Sequence, residues 1–245
     1  MDIIKNINSI IDSTPDNIGI LITNDKGEIL LSHNQNKRFY SASVIKLFVM
    51  AYFFDSHFPL EQNISFGKEV YIDYSVITEL GLTELTVKEL ILFMIASSDN
   101  TATNILVSIA GLNSINTYIK NSLCLNETIM QRYMLDFNAR VKGFDNFTSA
   151  ADVVSVLKHF FKNPIAMNIL EKQKDSTGLM RYIFENVRFY GKSGELDNAR
   201  NDTGILVSNN GISYAAVLTN NINQTSAENL CGLCGLLAVN SEIII

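Results

Sequence analysis

The chain has 245 residues, of which 47% are hydrophobic and 18% charged, with 19 Lys+Arg against 25 Asp+Glu and a formal net charge of −6. With 13 Gly and only 3 Pro, this composition excludes disordered, collagen-like and low-complexity classes. The acidic balance, without any long basic run, argues against nucleic-acid partners, which need clustered cations to displace counterions from phosphates. The length suffices for one large domain or two interleaved lobes around a core that needs neither metal nor disulfide.

Taken in chain order, apolar residues at positions 3, 4, 7, 10 and 11 predict an N-terminal amphipathic helix, not the basic-then-apolar pattern of an export signal. Ile18–Ile22 reads as a strand, Asp25-Lys26-Gly27-Glu28 as a turn and Ile29–Leu31 as the return strand of a hairpin. Ser43 to Phe54 is a mostly apolar run without Gly or Pro that contains Lys46, and its length predicts a buried helix. Thr86 and Glu89 form a capping-box pattern ahead of Leu90–Ile95. Further helices are predicted over 101–109, 113–121, 149–162 and 164–173, the third capped by Thr148 or Ser149. The last third returns to strands at 187–193, 204–208 and 213–219, the latter two joined by Asn209-Asn210-Gly211. Ser226–Val239 closes the chain as an apolar helix that carries Cys231 and Cys234 as buried thiols, not metal ligands.

Because both ends supply strands and the middle is helical, the economical packing is α/β: one antiparallel sheet with flanking terminal helices and an inserted all-α lobe. Residues 1–56 and 175–245 are expected to form the α/β lobe and 57–174 the all-α lobe, with a ligand cleft at the seam. The longest uncharged apolar stretches, Leu47–Phe54 and Leu90–Ala96, fall short of the ~18 residues a membrane span requires. The expectation is a cytoplasmic protein with no membrane partner.

Three short segments carry the chemical argument. Ser43-Val44-Ile45-Lys46 puts a hydroxyl and an amine at i, i+3 on one helical face. A serine hydroxyl needs a nearby base to act as a nucleophile, and a buried lysine beside another cation loses its proton readily enough to serve. The helix N-terminus would add free N–H groups near a developing oxyanion. Ser98-Asp99-Asn100 offers a hydroxyl for proton relay and a carboxamide, or is simply a capping turn. Lys192-Ser193-Gly194-Glu195 offers a cation and a hydroxyl for a carboxylate beside a glycine that admits a substrate backbone, or is an edge strand with a surface lysine.

In this order the three segments match S-x-x-K, S-D-N and, with Ser193 in the threonine's place but keeping its hydroxyl, K-T-G, and the chain resembles class A β-lactamases and penicillin-binding proteins. Ser97–Asn104 and Asp73-Tyr74-Ser75-Val76 extend the resemblance, the latter looking like the tyrosine-bearing wall of the family's cleft. The resemblance implies a two-lobed fold with an antiparallel sheet. It implies Ser43 as the acylated nucleophile, Lys46 as its base and Ser98 as the proton relay to the leaving nitrogen. Asn100 would bind the substrate's side-chain amide, Lys192 and Ser193 its carboxylate, and the N–H groups of Ser43 and Glu195 would form the oxyanion hole next to Gly194.

The match has one chemical gap. The family's Arg-x-Glu-x-x-Leu-Asn loop corresponds to Arg132-Tyr133-Met134-Leu135-Asp136-Phe137-Asn138, so methionine stands where the water-activating glutamate is expected. Methionine accepts no proton. Asp136 is expected to staple the loop to Arg132 or Arg140, with a substitute base as the other reading. The leading expectation is a β-lactamase-like hydrolase of β-lactam amide bonds, slow in deacylation. The alternatives are a D-Ala-D-Ala peptidase or esterase of the same superfamily and a non-catalytic penicillin-binding module. The partner is a small-molecule β-lactam or an acyl-peptide or ester. Nothing in the sequence points to a cofactor, and His33, His57 and His159 show no triad or metal spacing.

Overall fold

A computed structural model of the protein describes residues 2–184 and 186–240. Helix α1 (Ile3–Ser13), capped by Asp2, leads into β1 (Ile18–Asn24) and β2 (Ile29–His33). The two-residue strand β3 (Phe39–Tyr40) precedes a 3₁₀ turn over Ala42–Ile45 and helix α2 (Lys46–Asp55). The helical middle then runs through β4 (Asn63–Ser65), α3 (Val76–Leu80), β5 (Glu84–Thr86), α4 (Val87–Ala96), α5 (Asn100–Ala110) and α6 (Leu112–Asn121). It continues with α7 (Phe137–Val141), β6 (Phe147–Thr148), α8 (Ala150–Phe160) and α9 (Pro164–Leu170). Strands β7 (Arg188–Leu196), β8 (Ala199–Ser208) and β9 (Gly211–Thr219) and helix α10 (Gln224–Val239) end the described chain.

The fold is the mixed α/β class expected, with a five-stranded antiparallel sheet in the order β2-β1-β9-β8-β7 and two-stranded β3–β6 and β4–β5 pairs, so that strands from both ends of the chain meet at the β1–β9 pair. Alternation sorts the side chains: Ile18, Ile20, Ile22, Ala215 and Val217 pack against α1 and α10, while Leu21, Ala216 and Leu218 join the helical core. β1 is therefore buried on both faces and reads as a continuous apolar run. Helix α2 is buried almost all round, with Leu47, Phe48, Val49, Met50 and Ala51 fully covered, as the unbroken apolar run after Lys46 requires. The Thr86–Glu89 capping box forms at the start of α4, and Ser149 caps α8.

Among the boundaries that differ from the sequence reading, two shape the site. Ser43 lies on the 3₁₀ turn, one turn ahead of the α-helix that begins at Lys46. β8 starts at Ala199, five residues earlier than the apolar signal, because the polar run Arg200-Asn201-Asp202-Thr203 is buried and held by tertiary partners. Cys231 and Cys234 are buried on α10, and Cys124 is exposed. Among the described residues no helix is long and apolar enough to cross a membrane.

Candidate active site

The segment carrying Ser43 is held from three directions. Ser41, fully buried, donates its N–H to Asn146 O (2.9 Å), and its carbonyl accepts from Val44 N (3.0 Å) and from Asn201 Nδ2 (3.3 Å). Asn201 also donates to Tyr40 O, which ties the turn to β8. Ala42 adopts φ +47, a conformation that costs a residue with a Cβ and persists only where its surroundings enforce it. Of the eight non-glycine residues with positive φ among those described, Ala42, Tyr74, Ser98 and Leu135 all line one cleft of about 750 Å³. Strain is thus concentrated at the cleft that also contains Ser43.

Lys46 lies beneath this cleft with no solvent exposure. Its Nζ donates to Ser98 O (2.6 Å), Ser98 Oγ (3.1 Å) and Asn100 Oδ1 (2.9 Å), so the three protons of an ammonium are all engaged. Burial pushes its pKa well below the usual lysine value, and the cation of Lys192 adds to that; Asp99 opposes both. The amine thus faces Ser98 and Asn100 across the cleft floor, and no hydrogen bond joins Nζ to Ser43 Oγ. Asp99, also fully buried, fixes the Ser98–Asn100 turn: it caps α5 through Ala102 N (2.8 Å) and accepts from Ser75 Oγ and Ile77 N. Asn100 Nδ2 reaches Asp73 O (3.4 Å), beside Tyr74, which projects 81% exposed at the cleft mouth.

The opposite wall is the edge strand β7. Ser193 donates its N–H to the Gln173 side chain and not to β8, so Glu195, two residues on, turns its own N–H to the same outer edge. Gly194 makes room for the Ser43 turn: a Cβ there would sit 2.9 Å from Ser43 N and 3.0 Å from Ser41 O. Ser43 is the second residue of its 3₁₀ turn, where the amide has no acceptor within the helix. The amides of Ser43 and Glu195 therefore belong to adjoining segments of one wall. Lys192 is 1% exposed, bonded to Ser193 O (2.8 Å), and burial pulls its pKa down to about 8 against Asp202 and Asp175.

Sequence reasoning passed over Arg200, a cleft-lining guanidinium only 6% exposed that pairs with Asp175 (2.8 Å) and Glu195 (3.1 Å). The signal was available in register: once Asp197-Asn198 is read as a tight turn, Arg200 falls directly opposite Glu195.

The third wall is the 132–145 loop, whose ends are joined by the buried Arg132–Asp145 pair (2.8 Å). Met134 lines the cleft, 8% exposed, its backbone clamped by Asn104 through both N–H (2.8 Å) and C=O (3.1 Å). The staple expected of Asp136 is made instead by Asp145, which takes both Arg132 and Arg140. Asp136 caps α7 through Ala139 N (2.9 Å), because a carboxylate preceding a short helix satisfies its free amides. It does not line the cleft, nor does Asn138 or any histidine.

Ser43, Tyr74, Ser98, Asn100, Ser193, Gly194 and Glu195 thus border one cavity, with Lys46 and Lys192 buried under it. A strained turn carrying a serine, a buried lysine and an edge strand thus surround one cleft in a mixed α/β protein with a five-stranded antiparallel sheet. The model of the beta-lactamase enzyme family matches residues 2–241, and the chain belongs to that family. The beta-lactamase of Sphaerobacter thermophilus DSM 20745 is 24% identical with a TM-score of 0.85, covering 99% of this chain and 97% of that one. A beta-lactamase from Chitinophaga pinensis DSM 2588 is 19% identical with a TM-score of 0.87, covering 99% and 100%. A mutant of PBP-A in an acyl-enzyme complex with penicillin G is 18% identical with a TM-score of 0.82, covering 97% and 95%. At these identities the likeness speaks to the fold. A search of curated proteins returned no match.

Proposed function

We propose that the chain is a β-lactamase-like serine hydrolase that forms an acyl-enzyme at Ser43 and releases the acyl group slowly. The observation that carries this reading is Lys46, a solvent-free amine of depressed pKa three residues from Ser43 and bonded to Ser98 and Asn100 with no carboxylate partner. When Lys46 is neutral, one of its three hydrogen bonds is given up and a lone pair becomes available to the Ser43 hydroxyl proton. Ser43 Oγ bonds the lactam carbonyl carbon, the C–N bond breaks, and the proton passes by way of Lys46 and Ser98 to the departing nitrogen. The Ser43 and Glu195 amides supply the oxyanion donors, each worth ~10²–10³ in rate. Asn100 holds the acyl side-chain amide, Lys192 and Ser193 the carboxylate, and Tyr74 the outer wall.

Deacylation is the weak step. Met134 cannot activate water, and general base catalysis contributes ~10²–10⁴-fold. The similar fold of the PBP-A mutant is known in an acyl-enzyme complex with penicillin G, which supports acylation as a reaction this fold can host. Mass spectrometry after penicillin treatment should show one adduct, lost in Ser43→Ala; no adduct with any β-lactam or activated ester contradicts the proposal.

The apolar lining at Met134, Leu135 and Phe137 also favours a second reading, a D-Ala-D-Ala peptidase or esterase of the same superfamily. A panel of esters, D-Ala-D-Ala peptides and cephalosporins separates the two, and cephalosporin turnover far above ester turnover contradicts the second.

A further inference from the structure

The end of the cleft beyond Gly194 has an unusual charge balance. Arg200 faces Glu195 across the β7–β8 ladder at a position where the strand amide points outward, the arrangement that brings paired side chains closest. Its Nη1 donates to Glu195 Oε2 (3.1 Å), and its Nη2 to Asp175 Oδ2 (2.8 Å) and to Thr177 Oγ1; its Nε is buried without a partner. One guanidinium is therefore shared between two carboxylates, and a third, Asp197, lines the same end.

The two partners of Arg200 are not equivalent. Burial alone would raise the Asp175 carboxyl, but the Thr177 amide and hydroxyl and the Arg200 guanidinium hold it down at about 2, so it is a fixed counterion. The Glu195 side chain is 55% exposed on the cleft rim and holds Arg200 by a single contact. It is the partner that an incoming anion would have to displace.

We propose that Glu195 is a specificity-determining residue: its carboxylate competes internally for Arg200 and so weakens the hold of this end of the cleft on an acyl donor's carboxylate, narrowing the preference for acidic over neutral donors. This rests on the reading that the acyl donor lies between Ser43 and the β7 edge. A free carboxylate arriving at Lys192 and Ser193 meets a guanidinium already neutralised and the field of Glu195 itself. A glutamine keeps the length and one hydrogen bond to Arg200 while removing the charge.

The test compares benzylpenicillin with its methyl ester, which differ only in that charge. Non-covalent dissociation constants are measured by calorimetry on a Ser43→Ala background, with Glu195, Glu195→Gln and Glu195→Asp. The preference for the free acid over the ester should rise about fivefold in Glu195→Gln, the scale of one partly exposed ion pair. It should fade at 1 M salt, where screening is nearly complete, and Glu195→Asp, which keeps the charge, should stay near the parent ratio. A ratio unchanged in Glu195→Gln, or shifted equally by Gln and Asp, overturns the proposal. The same comparison by acylation of the Ser43 chain keeps the two readings apart. Adduct formation with an unmoved ratio removes the Glu195 proposal alone, whereas a moved ratio without any adduct removes only the acyl-serine reading.

Discussion

Met134→Glu places a proton acceptor at residue 134 of the cleft wall, a position prepared to hold it. Asn104 clamps the residue 134 backbone on both sides, at 2.8 and 3.1 Å. The loop neck is closed by the Arg132–Asp145 pair, whose side chains are 9% and 6% exposed, and by Asn146, which accepts from both Gln131 N and Arg132 N. Glutamate and methionine are close in length, so the new carboxylate enters the cleft without moving the loop. A well-placed base contributes ~10²–10⁴-fold, and a misplacement of ~1 Å gives back ~10², so the expected gain in deacylation is about 10²-fold. Seating the carboxylate should cost about 1–3 kcal/mol of stability. The assay is a penicillin pulse, removal of excess drug, and mass spectrometry of the adduct over time. The adduct half-life should shorten about 100-fold in Met134→Glu and by less than about threefold in Met134→Gln, which matches the shape without the base. An unchanged half-life in a folded Glu variant, or equal acceleration by Gln, would refute the assignment of Met134 to the water-facing wall.

Gly194→Ala should cost about 1–3 kcal/mol, because its Cβ would meet the Ser43 and Ser41 backbone at 2.9 and 3.0 Å, which cannot yield as a flexible side chain would. Acylation should fall by ~10² as Ser43 shifts; thermal melts and adduct formation check both, and an unaffected acylation rate contradicts the close-approach argument. Lys192 gives a pH signature. Burial pulls its ammonium down to about 8 against the opposing pull of Asp202 and Asp175, so affinity for a carboxylate ligand is present below pH 8 and lost above it. Stability moves the other way: between pH 8 and about 10.4 the unfolded chain keeps a proton the folded chain has released, so this group adds stability as pH rises. The acylation profile of benzylpenicillin should fall relative to that of its methyl ester above pH 8, and parallel profiles would contradict the role of Lys192.

Most of the architecture was legible because the apolar pattern decides it. The β1 run, the apolar body of α2, the Thr86–Glu89 box and the Asn209-Asn210-Gly211 hairpin all say locally what they do globally. What escaped depends on partners far away in sequence. The strand character of Arg200–Thr203 rests on Asp175, Leu179, Lys192 and Thr219, which no local signal reveals. The 3₁₀ geometry at Ser43 follows from Asn146 and Asn201 holding Ser41 and from the positive φ of Ala42. Asp136 is the acid nearest in sequence to the loop arginines, but the closed loop brings Asp145 to both of them and leaves Asp136 to cap α7. The motif residues themselves were identifiable by type, but their engagement was not: Lys46 is bonded to Ser98 and Asn100, and Arg200 is shared by two acids.

The central claim is a covalent bond between Ser43 and an acyl group. Intact-protein and peptide mass spectrometry after incubation with benzylpenicillin tests it most directly. The account predicts a single adduct of the full mass of the drug, mapped to the peptide containing Ser43, persisting after the drug is removed and absent in Ser43→Ala. An adduct at another residue, or one that survives Ser43→Ala, would contradict it.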